Sequence, residues 1–305
     1  MQNAHKIHSD YNKPHCWQYE IRLKNLEDDK FWSMLSDEEI ANLKPTDFDM
    51  YHTDDENEHK EMTEFIKKHE WLGTLPLYPT DWFACRYKSR LAGVIIMSQP
   101  NSFSKLLGEE TPQLERLISR GACISWSPKN LGSHFIMFCI RWMVQNTQYR
   151  LFTAYSDLEA HEVGQLYTAC NFYYLGEGSG GTKKYINPYN GKLMSDRQFR
   201  CRSFYKKYAK ELGIEWQKNW NADSKILWEN IPNDVEQKLR EYSKKKQAES
   251  ELVEVPSKRK YAYVLGRDKK ETKLLRRKFL ELNKIYPYVR REDTFKENIN
   301  EQNDL

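Results

Sequence analysis

The stretch YSDLEAHEVGQLYTACNFYYLG, residues 155–176, sets an aspartate, a glutamate and a histidine at the end of an apolar run. Asp157 falls just past a strand-like segment, where binding residues of α/β folds collect. A carboxylate there can take a proton from an amine nucleophile. It can equally cap a helix that starts near Leu158. His161 and Glu162 then fall in the first helical turn, toward solvent. A second candidate is WSPKNLGSHFIMF, a small-residue loop between a strand and an apolar helix. Such a loop presents helix-start N–H groups, which together with the helix dipole suit a phosphate or pyrophosphate. Lys129, Asn130, Leu131, Gly132 and Ser133 are the residues that would hold it. An ordinary N-cap by Asn130 or Ser133 is the alternative. The loop is not a Walker loop, because G-K-[ST] is absent. His69 closes a helical stretch and suits acid–base work, metal ligation or a contact with the helix dipole. His5, His8, His15 and Cys16 have a spacing that fits no known metal site.

These residues need elements to carry them. MTEFIKKHEWL has helical spacing, and DWFACRYKSRLAGVIIMSQ reads as a hairpin about KSR. LERLISRGACISW is a strand, HFIMFCIRWMVQN a helix apolar nearly all round and hence buried, and YRLFTAYS a strand. EAHEVGQLYTACN reads as one amphipathic helix and FYYLGEG as a closing strand. Beyond the glycine-rich turn come a basic helical stretch at 195–250, a strand in PSKRKYAYVLG and a basic amphipathic helix ending near Pro287. In SDEEIANL, Ser36 and Glu39 have capping-box spacing. The order predicts an α/β (α+β) fold, a mixed central sheet flanked by helices. Residues 1–64 form an acidic, partly disordered extension. Residues 65–291 form the main domain, with a basic helical insertion at about 190–255. Residues 292–305 form a disordered acidic tail.

With 39% apolar and 13% aromatic residues among 305, the chain has enough material for a packed core. No apolar run is long enough to span a bilayer, and no secretory h-region opens the sequence. Six cysteines without a C-x-x-C pair point to a reducing compartment, the cytoplasm. The net charge of +4 hides an asymmetry: residues 1–64 carry −9 and residues 183–291 carry +15. Such a basic segment fits a polyanion such as DNA, or is a solvated helical surface. SDRQFRCRSFYKK interleaves Arg197, Arg200, Arg202, Lys206 and Lys207 with Phe199, Phe204 and Tyr205. The cations would hold phosphates and the rings stack on bases. The alternative is a helix with its aromatics turned inward.

The order and spacing of the pieces resemble the GNAT N-acetyltransferase superfold. AHEVGQLYTACNFYYLG is similar to its late helix and strand, with Asn171 where glycine is usual. More closely, HEWLG, LERL, PKNLGS, AYSD, GQLYTACNFYYLG and KYAYVLG…YPYVRR resemble the Mom family of phage DNA-modification proteins, divergent relatives of GNAT enzymes. The resemblance covers residues 65–291. It implies modification of the exocyclic N6 amine of adenine in DNA, in the cytoplasm of an infected bacterial host, protecting DNA from restriction. By motif, the functional positions fall on His69, Arg116, Ser133 and Asp157. The family's histidine is typically followed by tyrosine, and Glu70 stands here instead. Acetyl-CoA or a related acyl-CoA is implied at the 129–133 loop, and a metal ion is possible without assigned ligands. The family's carbamoylmethyl product is joined through carbon, so acyl transfer from a thioester does not by itself make it. DNA is the implied partner, either single-stranded or as a duplex with a flipped base, and no membrane is. An acetyl-CoA-dependent N-acetyltransferase of a small amine or a protein, and a non-catalytic DNA-binding protein, are the other readings.

Overall fold

A computed structural model describes residues 16–290 apart from 77, 101, 179–181, 192 and 223–224. The readings made for residues 1–15 and for the tail lie outside the described residues. The chain divides into two compact units, one built from the chain through 179 together with the chain from 258, the other from 180–257.

The first unit opens with helices α1 (Trp17–Ser33) and α2 (Asp37–Asn42). Ser36 caps α2, accepting from the Glu39 N–H, while the Glu39 carboxylate accepts from the Ser36 N–H; this is the box that the spacing predicts. Strand β1 (Asp49–Thr53) leads to α3 (Glu56–His69), whose first turn is held by Asp55. The hairpin is β2 (Pro79–Tyr87) and β3 (Arg90–Ser98). Then follow β4 (Glu115–Cys123), α4 (Leu131–Asn146), β5 (Leu151–Ser156), α5 (Gln165–Ala169) and β6 (Tyr173–Tyr174).

The second unit has its own three-stranded antiparallel sheet. It is built from β7 (Lys183–Ile186), β8 (Leu193–Met194) and a later strand. Between them come α6 (Arg202–Glu211), a ribbon of β9 (Asn221–Ala222) and β10 (Lys225–Ile226), and α7 (Asn233–Glu249). The later strand is β11 (Leu252–Glu254), which pairs with β7. Phe199, Phe204, Tyr205, Tyr208 and Leu239 make the core of this unit. The first unit closes with β12 (Arg259–Val264) and α8 (Lys269–Leu282).

The main sheet runs β1-β2-β3-β4-β5-β12-β6 and is antiparallel except between β4 and β5. That α/β architecture is the one the element order predicts. Strand β3 is buried at every position from Leu91 to Ser98, so helices cover both sheet faces. Helices α3 and α4 both pack on β3, and Phe135 of α4 fits so closely that a Cβ at Gly93 would stand 3.4 Å from its ring.

The parallel pair positions the site. Pairing is confined to Glu115–Leu117 against Leu151–Thr153, although β4 continues to Cys123 and β5 to Ser156. Just past the last pair, β4 carries an extra residue, Ser119, opposite the Ile96–Met97 step of β3. A bulge bends its strand and sharpens the local twist. The two strands therefore part toward their C-terminal ends, and their backbone groups there face a wedge rather than each other.

Two differences from the sequence pattern concern the segment after β5. EAHEVGQLYTACN is not one helix. Leu158–Ala160 form a 3₁₀ turn, and α5 starts afresh at Gln165. Gly164 makes the break: its φ is +76°, and a Cβ there would lie 2.3 Å from Tyr261 Oη. Asn171, standing where the resembled pattern has glycine, adopts φ +59°, a left-handed conformation that Asn tolerates better than most side chains.

Candidate functional site

At the C-terminal end of β4 the chain turns through Ser125–Asn130 into α4. Asn130 takes φ 68°, and no side chain caps the helix. The Leu131 N–H reaches Pro128 O at 3.3 Å, and the Ser133 hydroxyl donates to Asn130 O at 3.0 Å. This leaves first-turn N–H groups of a 16-residue helix beside two small residues, Gly132 and Ser133, with Lys129 exposed next to them. A Cβ on Gly132 would meet Leu166 of α5 at 3.4 Å, and Cys170 Sγ lies 3.6 Å from the Ser133 carbonyl. The start of α4 is thus seated on α5. These features suit an anionic pyrophosphate, as coenzyme A carries.

At the end of β5, Asp157 is buried and does two things at once. One carboxylate oxygen accepts from the Glu159 N–H at 3.1 Å, capping the 3₁₀ turn; the other meets Lys258 Nζ at 2.7 Å. The cap that the sequence offers is therefore present, on a 3₁₀ turn, and the second carboxylate oxygen is engaged by an ammonium.

Glu162, placed toward solvent by sequence reasoning, is half-buried instead. Burial pushes its carboxyl up to about 7, and the Glu70 and Asp157 carboxylates push the same way. A hydrogen bond from the Asp157 backbone and the Lys258 ammonium oppose the rise. Glu70, in the segment following α3, is also raised by burial; Arg120 of β4 and the N–H groups of Gly73 and Leu72 oppose this. Its carboxylate accepts from Gly73 N–H at 2.8 Å and stands 4.0 Å from Arg120 Nε. Tyr167 of α5 is raised by burial first and by Glu162 next. Two acids with elevated proton affinity, a buried carboxylate paired with a half-exposed lysine, and a phenol thus act on one another beyond the paired ends of β4 and β5. A group poised near neutral pH suits proton transfer.

His69 ends α3. Its ring is buried against Phe65, with Nδ1 3.5 Å from Asp29 Oδ2 of α1. Burial lowers its proton affinity, the Asp29 carboxylate opposes that, and the neighbouring Lys68 reinforces it. Burial thus favours the neutral ring.

Arg116 is placed apart from the other three positions. It is the second residue of β4, its guanidinium lies 3.8 Å from the centre of the Tyr149 ring just past the end of α4, and its Nε is 3.4 Å from Asp81. It occupies the paired end of β4 and β5, whereas Ser133 and Asp157 follow the parted end. Sequence reasoning missed Arg120, Tyr167 and Lys258, and it named Glu70 and Glu162 without giving them a role. Glu70 was visible as the departure from the resembled pattern; the rest become a group only through the sheet order, which sets β12 beside β5.

Within the second unit, Arg197, Arg200, Lys206 and Lys207 are exposed and Arg202 is half-buried. Arg200 pairs with Asp196 at 2.6 Å, and Lys207 Nζ lies 4.2 Å from the Tyr189 ring centre. Phe199, Phe204 and Tyr205 are buried, the first with no accessible surface. They do not stand out to stack on bases; packing within their own unit claims them, because a ring gains more from a dry core than from water. Among the described residues no group of three or more His, Cys, Asp or Glu could hold a metal ion, and no helix is long and apolar enough to cross a membrane.

Residues 56–287 match the Mom protein family. The chain belongs to that family. The matched segment takes in α3, both parted strands, the Ser125–Ser133 turn, the carboxyl cluster and all of the second unit. Among curated proteins no relative matches. Among solved structures, yncA from Salmonella typhimurium, solved with its cofactor acetyl-CoA, is 11% identical, covering 48% of this chain and 88% of its own, with a TM-score of 0.35. An N-acetyltransferase from Staphylococcus aureus Mu50 is 13% identical over 48% and 92%, with a TM-score of 0.32. A probable acetyltransferase from Staphylococcus epidermidis is 8% identical over 71% and 98%, with a TM-score of 0.35.

Proposed function

We propose that this chain is a transferase that modifies the exocyclic N6 amine of adenine in DNA, as a Mom-like carbamoylmethylating enzyme that shields DNA from restriction. The observation that carries the reading is the carboxyl cluster of Glu162, Glu70 and Asp157 at the parted ends of β4 and β5, within the segment that matches the family. The adenine amine is a weak nucleophile, because its lone pair is delocalised into the ring. Its attack on the methylene carbon of a carbamoylmethyl donor forms the new N–C bond as the bond from that carbon to its leaving group breaks. The leaving group departs with the electron pair, and the nitrogen keeps a proton that must go elsewhere. Glu162, whose carboxyl is pushed up to about 7, can take that proton. Asp157, held by Lys258, orients the amine by accepting one of its N–H bonds. The adenine is met single-stranded or flipped from the duplex. The exposed Arg197, Arg200, Lys206 and Lys207, together with Arg202, contact phosphates.

An acyl-CoA would be held by the first-turn N–H groups of α4 with Lys129, Gly132 and Ser133. When bound, it would supply an activated acyl carbon, which serves N-acylation; the carbon-linked carbamoylmethyl group needs a separate alkyl donor. A second reading, acetylation of a small amine or a protein, draws on the uncapped start of α4 alone and needs no DNA.

Mass spectrometry of nucleosides from cells expressing the chain tests the reading. An adenine adduct carrying a carbamoylmethyl group is expected. Unmodified DNA together with thioester consumption on a small amine would replace it with the second reading. Unmodified DNA with no acyl-CoA binding by calorimetry would leave a DNA-binding protein.

A further inference from the structure

Helix α1 precedes the segment that matches the family, yet it is bound to the site through one polar stripe. Gln18, Arg22, Asn25 and Asp29 recur at helical spacing and so share a face. Gln18 Nε2 donates to the His69 carbonyl at 2.6 Å, and its Oε1 accepts from the Trp71 N–H at 3.1 Å. Asn25 donates to the Lys68 carbonyl at 2.7 Å. Arg22 donates to the Ser125 and Ser127 carbonyls at 2.6 and 2.8 Å. Asp29 accepts from the Ser125 N–H at 3.3 Å and from Lys68 Nζ at 2.8 Å, and faces His69 Nδ1 at 3.5 Å. The stripe thus grips two places together: the end of α3, which carries His69, and the turn that leads from β4 into Lys129–Ser133.

A carboxylate is costly to bury unless its surroundings use its charge. Asp29 is buried, and its oxygens are shared among an ammonium, a backbone N–H and an imidazole nitrogen. A carboxylate 3.5 Å from Nδ1 favours, through its charge, the tautomer that carries the proton there and leaves Nε2 as the basic atom. We propose that Asp29 is a positioning residue for His69, fixing the ring's orientation and tautomer, and that α1 is therefore an integral part of the site. The proposal rests on the function proposed above only for what His69 then serves. The charged groups around the ring are Asp29 and Asp28 from α1 and Lys68 from its own helix, and Phe65 covers one side.

The test is ¹⁵N NMR of the full-length protein without DNA, with the His69 signals assigned by their loss in His69→Gln. The wild type is expected to show the Nδ1–H tautomer. Asp29→Asn is expected to lower the His69 titration midpoint, because a carboxylate that favours the imidazolium has been removed. It should also cut DNA modification at least tenfold, with Asp29→Glu restoring part of both. A wild-type ring protonated at Nε2, or a folded Asp29→Asn with an unmoved midpoint, overturns the proposal. The tautomer measurement decides even if Asp29→Asn fails to fold. If the expected tautomer and midpoint shift are found but the wild type leaves DNA unmodified, the pairing stands and the adenine reading falls.

Discussion

Lys258 Nζ lies 2.7 Å from Asp157 Oδ2, although the two residues are a hundred positions apart and the whole second unit is threaded between them. The pair links the end of β5 to the start of β12 beside the carboxyl cluster. Lys258 is 45% exposed along its side chain, so its role is electrostatic tuning more than stability. Asp157→Asn should abolish modification while the protein still folds. Circular dichroism and nucleoside mass spectrometry on the same preparation check both halves. Normal modification by the folded variant would remove Asp157 from the reaction.

Glu162 predicts a pH dependence with a definite sign. Its carboxyl has an ordinary value of 4.5 and is raised to about 7 in the fold. Between those values the native state holds a proton that the unfolded chain has released. Stability contributed by this group therefore falls as pH rises from about 4.5 to 7. The modification rate should rise over the same upper range, as the group becomes able to accept a proton. Glu162→Gln should flatten the fall in thermal midpoint and remove the ascending limb of the rate profile.

Gly164 is fixed by its neighbour. Gly164→Ala would combine a left-handed φ with a Cβ placed 2.3 Å from Tyr261 Oη. A loss of about 2 kcal/mol or more is expected from strain and overlap together. Because Tyr261 also donates to the Val163 carbonyl at 2.9 Å, the displaced ring should loosen the turn that holds Glu162. Denaturant unfolding, compared with Gly132→Ala, gives the measurement.

The aromatic and basic residues of the second unit should separate cleanly. Phe199→Ala should destabilise this unit by about 3–5 kcal/mol, the usual cost of emptying a buried ring site. Arg197→Ala and Lys206→Ala should leave stability unchanged and weaken DNA binding on all sequences, each reducing the salt slope by about one. Fluorescence anisotropy against salt concentration, beside thermal melts, tests the division.

The hairpin, the buried α4, the Ser36–Glu39 box and the α/β order are legible because each is written in local periodicity or in one capping residue. Helix α1 is not. Only Tyr19, Leu26 and Asp29 are buried in it, and its inward face is polar, so apolar spacing carries no signal. Strand β1, a five-residue edge with one buried position, is equally quiet. At the site, Asp157 is legible as the residue that ends an apolar strand. The significance of Glu162 depends on its burial and on the nearby charges of Glu70 and Asp157, which only the folded chain brings together. Phe199, Phe204 and Tyr205 show the converse. Their alternation with cations suits a stacking surface and a helix with an inward face alike, and only packing separates the two.

The placement of β12 between β5 and β6 reaches into biogenesis. While the chain emerges from the ribosome, β5 offers an open row of amides and carbonyls after Ser156 is made, and its antiparallel partner begins only at Arg259. At ordinary elongation speeds, that edge waits roughly 5–20 s. During this interval the nascent sheet is most exposed to pairing with another copy. Slow translation through 180–257, or a chaperone engaged at that stage, should matter more to the yield of this protein than any single contact in its finished core.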